Sequence, residues 1–276
     1  MLSHIRTRTD PVQRVYAVGD IHGRYDLFRQ LMNIIEHDRS LRPPVATKIV
    51  LLGDIVDRGP DAARMVRGCM NLTASTDRFV VLKGNHEEMM STALKGNLYV
   101  YRHWLTFGGR ETLLSWGVDR QVAEGPATIE NLEIAAGMVG SRAISWLSRL
   151  PLHDQHGNYL FVHAGIRPGI PLRKQAAEDL LWIKDDFLES DVAHGMMVVH
   201  GHTIIECGPV VRRNRIGIDT GAYRSGRLTA LAVECEETWY LNTPDVLQLT
   251  DGQALPDRTF TNDAAKNGTT HVDCKT

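Results

Sequence analysis

The sequence predicts an α/β fold, and the prediction rests on one pattern repeated along its first hundred residues. Three short apolar runs, Val15–Val18, Ile49–Leu52 and Phe79–Leu82, each stop at a glycine-marked polar cluster and are followed by a stretch with helical spacing. Continuous apolar runs of this length, bounded by glycine, suit strands buried on both faces. Strands that alternate with helices suit right-handed βαβ crossovers and a largely parallel core. In such sheets ligands bind beyond the carboxyl ends of the strands, where all three polar clusters fall.

Taken in order, Met1 to Arg14 is polar and is expected to be a loose arm. Val15–Val18 runs into Gly19-Asp20-Ile21-His22-Gly23, and Leu27, Leu31, Ile34 and Ile35 then mark a helix that Pro43-Pro44 ends. Lys48 to Pro60, KIVLLGDIVDRGP, is the second unit, a buried strand delivering Asp54, Asp57 and Arg58 to the sheet rim. Phe79–Leu82 repeats the pattern into Gly84-Asn85-His86-Glu87 and a helix through Met89, Met90 and Leu94. From 98 to 150 the apolar residues keep helical spacing between glycine breaks, which reads as a helical insertion whose tryptophans (Trp104, Trp116, Trp146), with Trp182 further on, are core packing. Strand-like runs return at Tyr159–Val162, Met196–Val199, Arg215–Ile218, Leu228–Val233 and Trp239–Leu241. The first two end in His163 and in His200-Gly201-His202. Arg212, Arg213 and Arg215 read as a solvated hairpin turn. Residues 1–255 are expected to form one catalytic domain, with a disordered tail over 256–276.

Composition narrows the function classes. The chain has 276 residues, 43% hydrophobic and 23% charged, which is ordinary for a globular protein. A formal net charge of -2 supplies no basic field for a polyanion, so nucleic acid is not an expected partner. The four cysteines are scattered without a CxxC pair and suggest reduced thiols. With no apolar stretch long enough for a membrane span and no signal-type N-terminus, a cytoplasmic location without membrane association is expected.

At the strand ends the sequence presents Asp20, His22, Asp54, Asn85, His163 and a histidine of the His200–His202 triplet. This mixture of imidazole, carboxylate and amide oxygen suits manganese, iron or zinc better than an all-oxygen magnesium or calcium cage. Six side chains exceed what one open catalytic ion needs and suit two divalent ions sharing a bridging carboxylate. Two dications against two carboxylates and a hydroxide leave a site of about +1, attractive to a phosphate dianion, and such a pair activates water for in-line displacement. Any one of these motifs alone reads as an ordinary turn. Their joint occurrence at successive strand ends points to phosphoester hydrolysis.

GDIHG at 19–23, GDIVDRG at 53–59, GNHE at 84–87, VHAG at 162–165 and HGHT at 200–203 resemble the signature series of the phosphoprotein phosphatase family of metallophosphoesterases, in particular its bacterial and lambdoid-phage serine/threonine branch. GNHEEMM, HAGIRPGIPL, DLLWIKDDF and IDTGA extend the resemblance, which covers about Val15 to Glu234. It implies an α/β (α+β) four-layer sandwich, two mixed sheets flanked by helices, and direct hydrolysis without a phosphoenzyme. Asp20 and His22 would hold one metal, Asp54 would bridge, and Asn85, His163 and His202 would hold the other, with His200 beside them. His86 would be the general acid oriented by Asp57, and Arg58 would grip the phosphoryl oxygens. Where this branch has arginine after Leu-Trp-x, the chain has Lys184, a point charge with less orientational control. Arg167 is a second candidate phosphate ligand. Tyr223 follows the Asp219–Ala222 segment and reads as a capped core residue or one that overhangs the site. The implied substrate is a phosphoprotein or phosphopeptide at serine or threonine, with tyrosine as an extension. The alternative is a hydrolase of diadenosine polyphosphates or nucleotide caps. Asp57 and Glu87 favour the phosphatase, since the dinucleotide relatives usually depart from VDRG and read GNHD.

Overall fold

The structure is a computed structural model, and it describes residues 13–244. The first three strand–helix units form as the pattern requires: β1 (Gln13–Val18), α1 (Tyr25–Ser40), β2 (Ala46–Leu51), α2 (Ala62–Ser75), β3 (Phe79–Val81) and α3 (Asn85–Leu94). The helical stretch follows as α4 (Leu98–Trp104), α5 (Gly109–Ser115), α6 (Arg120–Ala123), α7 (Ile129–Val139) and α8 (Ser141–Ser148). The second half comprises β4 (His153–His156), β5 (Tyr159–Val162), α9 (Ala177–Trp182), α10 (Asp185–Leu188), β6 (Met197–His200), β7 (Val210–Val211), β8 (Arg215–Gly217), α11 (Ala222–Ser225), β9 (Thr229–Glu234) and β10 (Glu237–Asn242).

The strands make two five-stranded mixed sheets, ordered β10-β9-β1-β2-β3 and β4-β5-β6-β8-β7. The expected parallel core is present in each, as β1–β2–β3 and as β5–β6–β8. Antiparallel strands flank it, β9 and β10 in the first sheet and β4 and β7 in the second. Period-two alternation sorts the side chains into layers. Val15, Ala17, Val50, Leu52, Leu231 and Val233 of the first sheet meet Tyr159, Phe161, Val199 and Ile216 of the second between the sheets. Tyr16, Val18, Leu51 and Ala232 face the other way, onto α1–α3 and the 98–150 helices. Leu160, Val162 and Val198 face Leu180, Ile183 and Phe187 of the α9–α10 segment on the opposite side. The result is helix, sheet, sheet, helix.

Several expectations change. Gln13 and Arg14 belong to β1, and Arg14 is buried because its Nε donates to Glu234 Oε2 at 2.7 Å and its Nη2 to Pro43 O at 3.2 Å. The rest of the expected arm and the whole 256–276 tail lie outside the described residues. β4 and β7 were not legible: β4 is a polar edge strand, His-Asp-Gln-His, and β7 has two residues. Arg212 and Arg213 are exposed beside the β7–β8 hairpin, but Arg215 is buried, donates to Leu188 O and lies 5.8 Å from the Phe187 ring. Cys69 is a free, buried thiol as expected. Among the described residues no helix is long and apolar enough to cross a membrane.

Candidate active site

Residues that follow β1, β2, β3, β5 and β6 meet at one rim, where the two sheets converge. The backbone there is unusual. His22, Asp54, Asp57, Arg58 and His202 all have φ between +46° and +69°, and they are five of the six non-glycine residues with positive φ among the described residues. L-residues pay roughly 1–2 kcal/mol for this region, so the surroundings must hold them there. The β2 turn is held by Glu87, fully buried in the first turn of α3, whose carboxylate accepts the N–H groups of Asp54 (2.8 Å), Ile55 (2.9 Å), Val56 (3.2 Å) and Gly84 (2.8 Å). Asp54 O in turn accepts from Ile21 N and His22 N, at 3.1 and 2.8 Å, which locks the β1 turn to it. Glycine is required at 84 and 201, because a Cβ there would run into the carboxylates of Asp54 and Asp20.

Asp54 sits at the centre. Its oxygens lie 3.6 Å from His22 Nε2, 3.5 Å from His163 Nε2 and 3.8 Å from His86 Nε2, and Oδ1 accepts the His86 N–H at the start of α3. Burial opposes its ionisation, but the imidazoles of His163, His86, His22 and His202 outweigh burial and hold Asp54 well below the usual carboxylate range. Asp20 behaves oppositely: burial, then Asp219 and Asp54, push it far up. It accepts the His202 N–H at 3.2 and 3.1 Å. Asp219, raised to about 6 chiefly by burial, is a second buried carboxyl at this corner.

The residues fit a pair of cations. His22, Asp54 and His86 bring ligand atoms within 4.8 Å of one another, and so do Asp54, His163 and His202, with Asp54 common to both groups. The Nδ1 of His22 lies against Val56 O and that of His163 against Leu52 O, each at 2.9 Å. A carbonyl only accepts, so both Nδ1 atoms carry the proton and both Nε2 atoms keep a lone pair. His163 Nε2 then faces Asn85 Oδ1 at 2.8 Å, two acceptors in contact, and His202 Nε2 is buried with no hydrogen-bond partner. Desolvation lowers the pKa of all three imidazoles, that of His202 to about 3, which favours the neutral, ligating form. Neither ligand group includes Asp20, which adjoins through His202.

A proton-handling couple lies alongside. His86 Nδ1 is 2.6 Å from Asp57 Oδ2. Burial would lower the pKa of His86, but Asp54 and Asp57 outweigh it and hold it above the ordinary value. Asp57 is fixed from behind by Thr112 Oγ1, donating at 2.7 Å, and by Trp104 Nε1 at 2.9 and 3.0 Å. Trp104 therefore does more than pack, and the 98–150 segment reaches the site through it. Arg58 donates to His22 Nε2 at 2.7 Å and to His86 Nε2 at 3.1 Å, with the Tyr223 ring 4.6 Å from its guanidinium carbon. Tyr223 also meets the His22 ring edge-on at 5.3 Å. His200 lies outside the ligand groups, its Nδ1 3.0 Å from Gly201 O, and burial lowers it to about 4.

Lys184, Trp182 and Arg167 lie further out. Lys184 is exposed at the start of α10, near enough to His202 to help lower its pKa. Trp182 is 38% exposed rather than core, its ring 6.2 Å from that of His202. Arg167 is half-exposed with its guanidinium committed to Asp179, at 2.9 and 2.6 Å, and to Asp186 at 2.9 Å. The sequence reading gave Trp104 only a packing role and gave no site role to Thr112 or Asp219. Only Asp219 carried a signal, in the IDTGA segment.

A family model described as Calcineurin-like phosphoesterase, Metallophos, matches residues 13–225. The chain belongs to that family. This calcineurin-like phosphoesterase is 28% identical over 240 residues to the asymmetrical bis(5'-nucleosyl)-tetraphosphatase PrpE of Bacillus thuringiensis, covering 80% of this chain and 91% of the relative. It is 30% identical over 183 residues to the symmetrical bis(5'-nucleosyl)-tetraphosphatase of Aromatoleum aromaticum, covering 65% and 55%. Among solved structures it matches a putative diadenosine tetraphosphatase with TM-score 0.55 at 21% identity, over 87% of this chain and 96% of that one. A cold-active protein tyrosine phosphatase matches with TM-score 0.53 at 18% identity, over 88% and 82%. Those two likenesses bear on fold alone. The family expected from the motifs holds. The curated relatives named here are tetraphosphatases rather than serine/threonine protein phosphatases.

Proposed function

We propose that this calcineurin-like phosphoesterase hydrolyses a phosphoanhydride bond of dinucleoside tetraphosphates, with two divalent metal ions as cofactors. The observation that carries the reading is the alignment with a bis(5'-nucleosyl)-tetraphosphatase over four-fifths of the chain. Asp57 and Glu87 had favoured a protein phosphatase. Both have scaffold work that is independent of substrate, Glu87 in pinning the β2 turn and Asp57 in orienting His86. Glu87 therefore does not speak for phosphoserine, and Asp57 does so only through the proton that His86 can give.

Asp20, His22, Asp54, Asn85, His163 and His202 would hold the ions, which when bound supply an acidified water and neutralise phosphate charge. Arg58 would turn its fork from the two imidazoles onto the oxygens of the attacked phosphoryl group. Water adds to that phosphorus and loses one proton to solvent, the P–O bond to the bridging oxygen breaks, and the bridging oxygen departs with the neighbouring phosphate. His86, its Nδ1–H committed to Asp57, keeps Nε2 for a proton passed to that oxygen.

A second reading, hydrolysis of phosphomonoesters on proteins, is favoured by the same couple, because a serine alkoxide needs a proton more than a departing phosphate does. Initial rates with added manganese on diadenosine tetraphosphate, a phosphoserine peptide and p-nitrophenyl phosphate separate the two. We expect kcat/KM on the dinucleotide to lead by orders of magnitude, and a lead of that size for the phosphopeptide would replace the first reading with the second.

A further inference from the structure

Beside His202 the chain exposes an aromatic ring that neither the fold nor the chemistry above employs. Leu180, Leu181 and Ile183 are buried, while Trp182 between them is 38% exposed. The segment does not drift: Ala164 N, next to His163, donates to Leu180 O at 2.9 Å, and Ile183 N to Asp179 O at 3.1 Å. Lys184 O then accepts from Phe187 and Leu188 at 2.9 and 2.8 Å. Trp182 and Lys184 are thus both exposed on a seated turn, on either side of the buried Ile183. Among the exposed large apolar side chains of the described residues, Trp182 is the one in ring contact with an imidazole of the site, at 6.2 Å and an interplanar angle of 81°.

We infer that Trp182 is the stacking platform for one nucleobase of the substrate, with Lys184 beside it for the phosphate chain. The inference rests on the dinucleoside reading above. An indole held by a fixed backbone loses little conformational freedom when a flat base covers it, and aromatic stacking accepts any base because each has a π-face. Lysine, where the serine/threonine phosphatase branch has arginine, also fits this substrate. A guanidinium fork matches one phosphoryl group in one orientation, whereas an ammonium on a flexible stem serves several charged phosphates in a row. At the other end of the site, Arg58 is covered by Tyr223, so the cationic fork there is braced by an aromatic ring that is itself half-buried.

The test compares wild type, Trp182→Ala and Trp182→Phe on diadenosine tetraphosphate and on inorganic tetraphosphate, which has the same anhydrides and no base. Trp182→Ala should lower kcat/KM on the dinucleotide about tenfold, mainly through KM, in line with the loss of one base–aromatic stack. The fall on inorganic tetraphosphate should be much smaller. Trp182→Phe should recover most of the loss, and diguanosine tetraphosphate should behave like the adenosine compound. Equal falls on both substrates would mean that Trp182 only supports His202, and unchanged rates on both would remove it from the site; either result overturns the inference. Calorimetric binding of AMP and of inorganic phosphate to the same proteins separates this from the function itself. If wild type does not cleave dinucleotides, the proposed function fails. The platform then stands if AMP binds more tightly than phosphate and Trp182→Ala abolishes the difference, and falls if it does not.

Discussion

The two edges that meet at Asp54 are built to opposite standards. On the first-sheet side, His22, Asp57, Arg58 and His86 are tied into one hydrogen-bonded group, sealed by Trp104 and Thr112 from the helical segment. On the second-sheet side, His202 keeps an unpartnered Nε2, and its neighbours Trp182 and Lys184 are exposed. The sealed side fixes an imidazole and a guanidinium through hydrogen bonds. The open side leaves an indole and an ammonium exposed to solvent beside the ligand groups. Asp54 alone belongs to both, so it offers the sharpest way to break the distinction. Asp54→Asn should reduce bound manganese in dialysed protein from about two equivalents to one or none and cut turnover by at least about a hundredfold, since even outer partners of metal ligands are worth about 10–100-fold. Two tightly held equivalents in that variant would remove Asp54 as the bridge.

The next largest effect isolates the sealed side. His86→Asn should lower kcat at least about tenfold on a phosphoserine peptide and much less on p-nitrophenyl phosphate, whose leaving group hardly needs a proton. On diadenosine tetraphosphate the loss should be intermediate. Losses of one size on all three substrates would argue that His86 shapes the site and transfers nothing. Trp104→Phe tests whether the seal matters to this step. It keeps a ring in the core and deletes the N–H that holds Asp57, at a cost expected to be about 1.5–3 kcal/mol if the interaction is fully expressed, or several-fold in kcat if it is partly expressed. In the His86→Asn background the same change should cost almost nothing more, because both act on one proton. Full additivity would show that Trp104 acts by packing alone.

The same contrast explains how much could be read from the chain. The strands of the parallel core announce themselves as apolar runs ending in glycine, and their carboxyl ends carry ligand types that have few other uses together. Six ligand-type side chains could therefore be singled out; the structure brings His22, Asp54, His163 and His202 into two groups of close ligand atoms, adds His86 to one of them and leaves Asp20 beside them. Trp104 and Thr112 were hidden because their contribution is a single hydrogen-bonding group each on Asp57, placed across 47 and 55 residues of sequence from helices whose spacing explains them as packing. Trp182 was hidden for a related reason: a tryptophan in Leu-Leu-Trp-Ile reads as core until its neighbours are seen to take all the buried positions. β4 and β7 lacked any apolar alternation because edge strands need little. Glu87 was legible as a residue but not as a scaffold, since nothing in a linear motif reveals four N–H groups converging on one carboxylate.

On the open side the expected effects are smaller. Lys184→Arg should raise kcat/KM on phosphomonoesters by a few-fold, because a fork grips a single phosphoryl group better than a point charge does. Unchanged or lower efficiency would count against Lys184 as a phosphate contact. The smallest effect lies beneath that loop. His194 packs 5.9 Å from the Phe187 ring in α10, with Asn214 Nδ2 3.4 Å from its Nε2, and burial followed by the charge of Arg215 lowers its pKa below the ordinary 6.5. A histidine harder to protonate in the folded state than in the unfolded chain contributes stability that is present above about pH 6.5 and is lost as pH falls toward its folded value. His194→Asn should therefore lower Tm relative to wild type by no more than a few degrees at pH 7.5, and the gap should close by pH 5.5. A gap that stays constant across that range would place the pH sensitivity of the second-sheet side elsewhere.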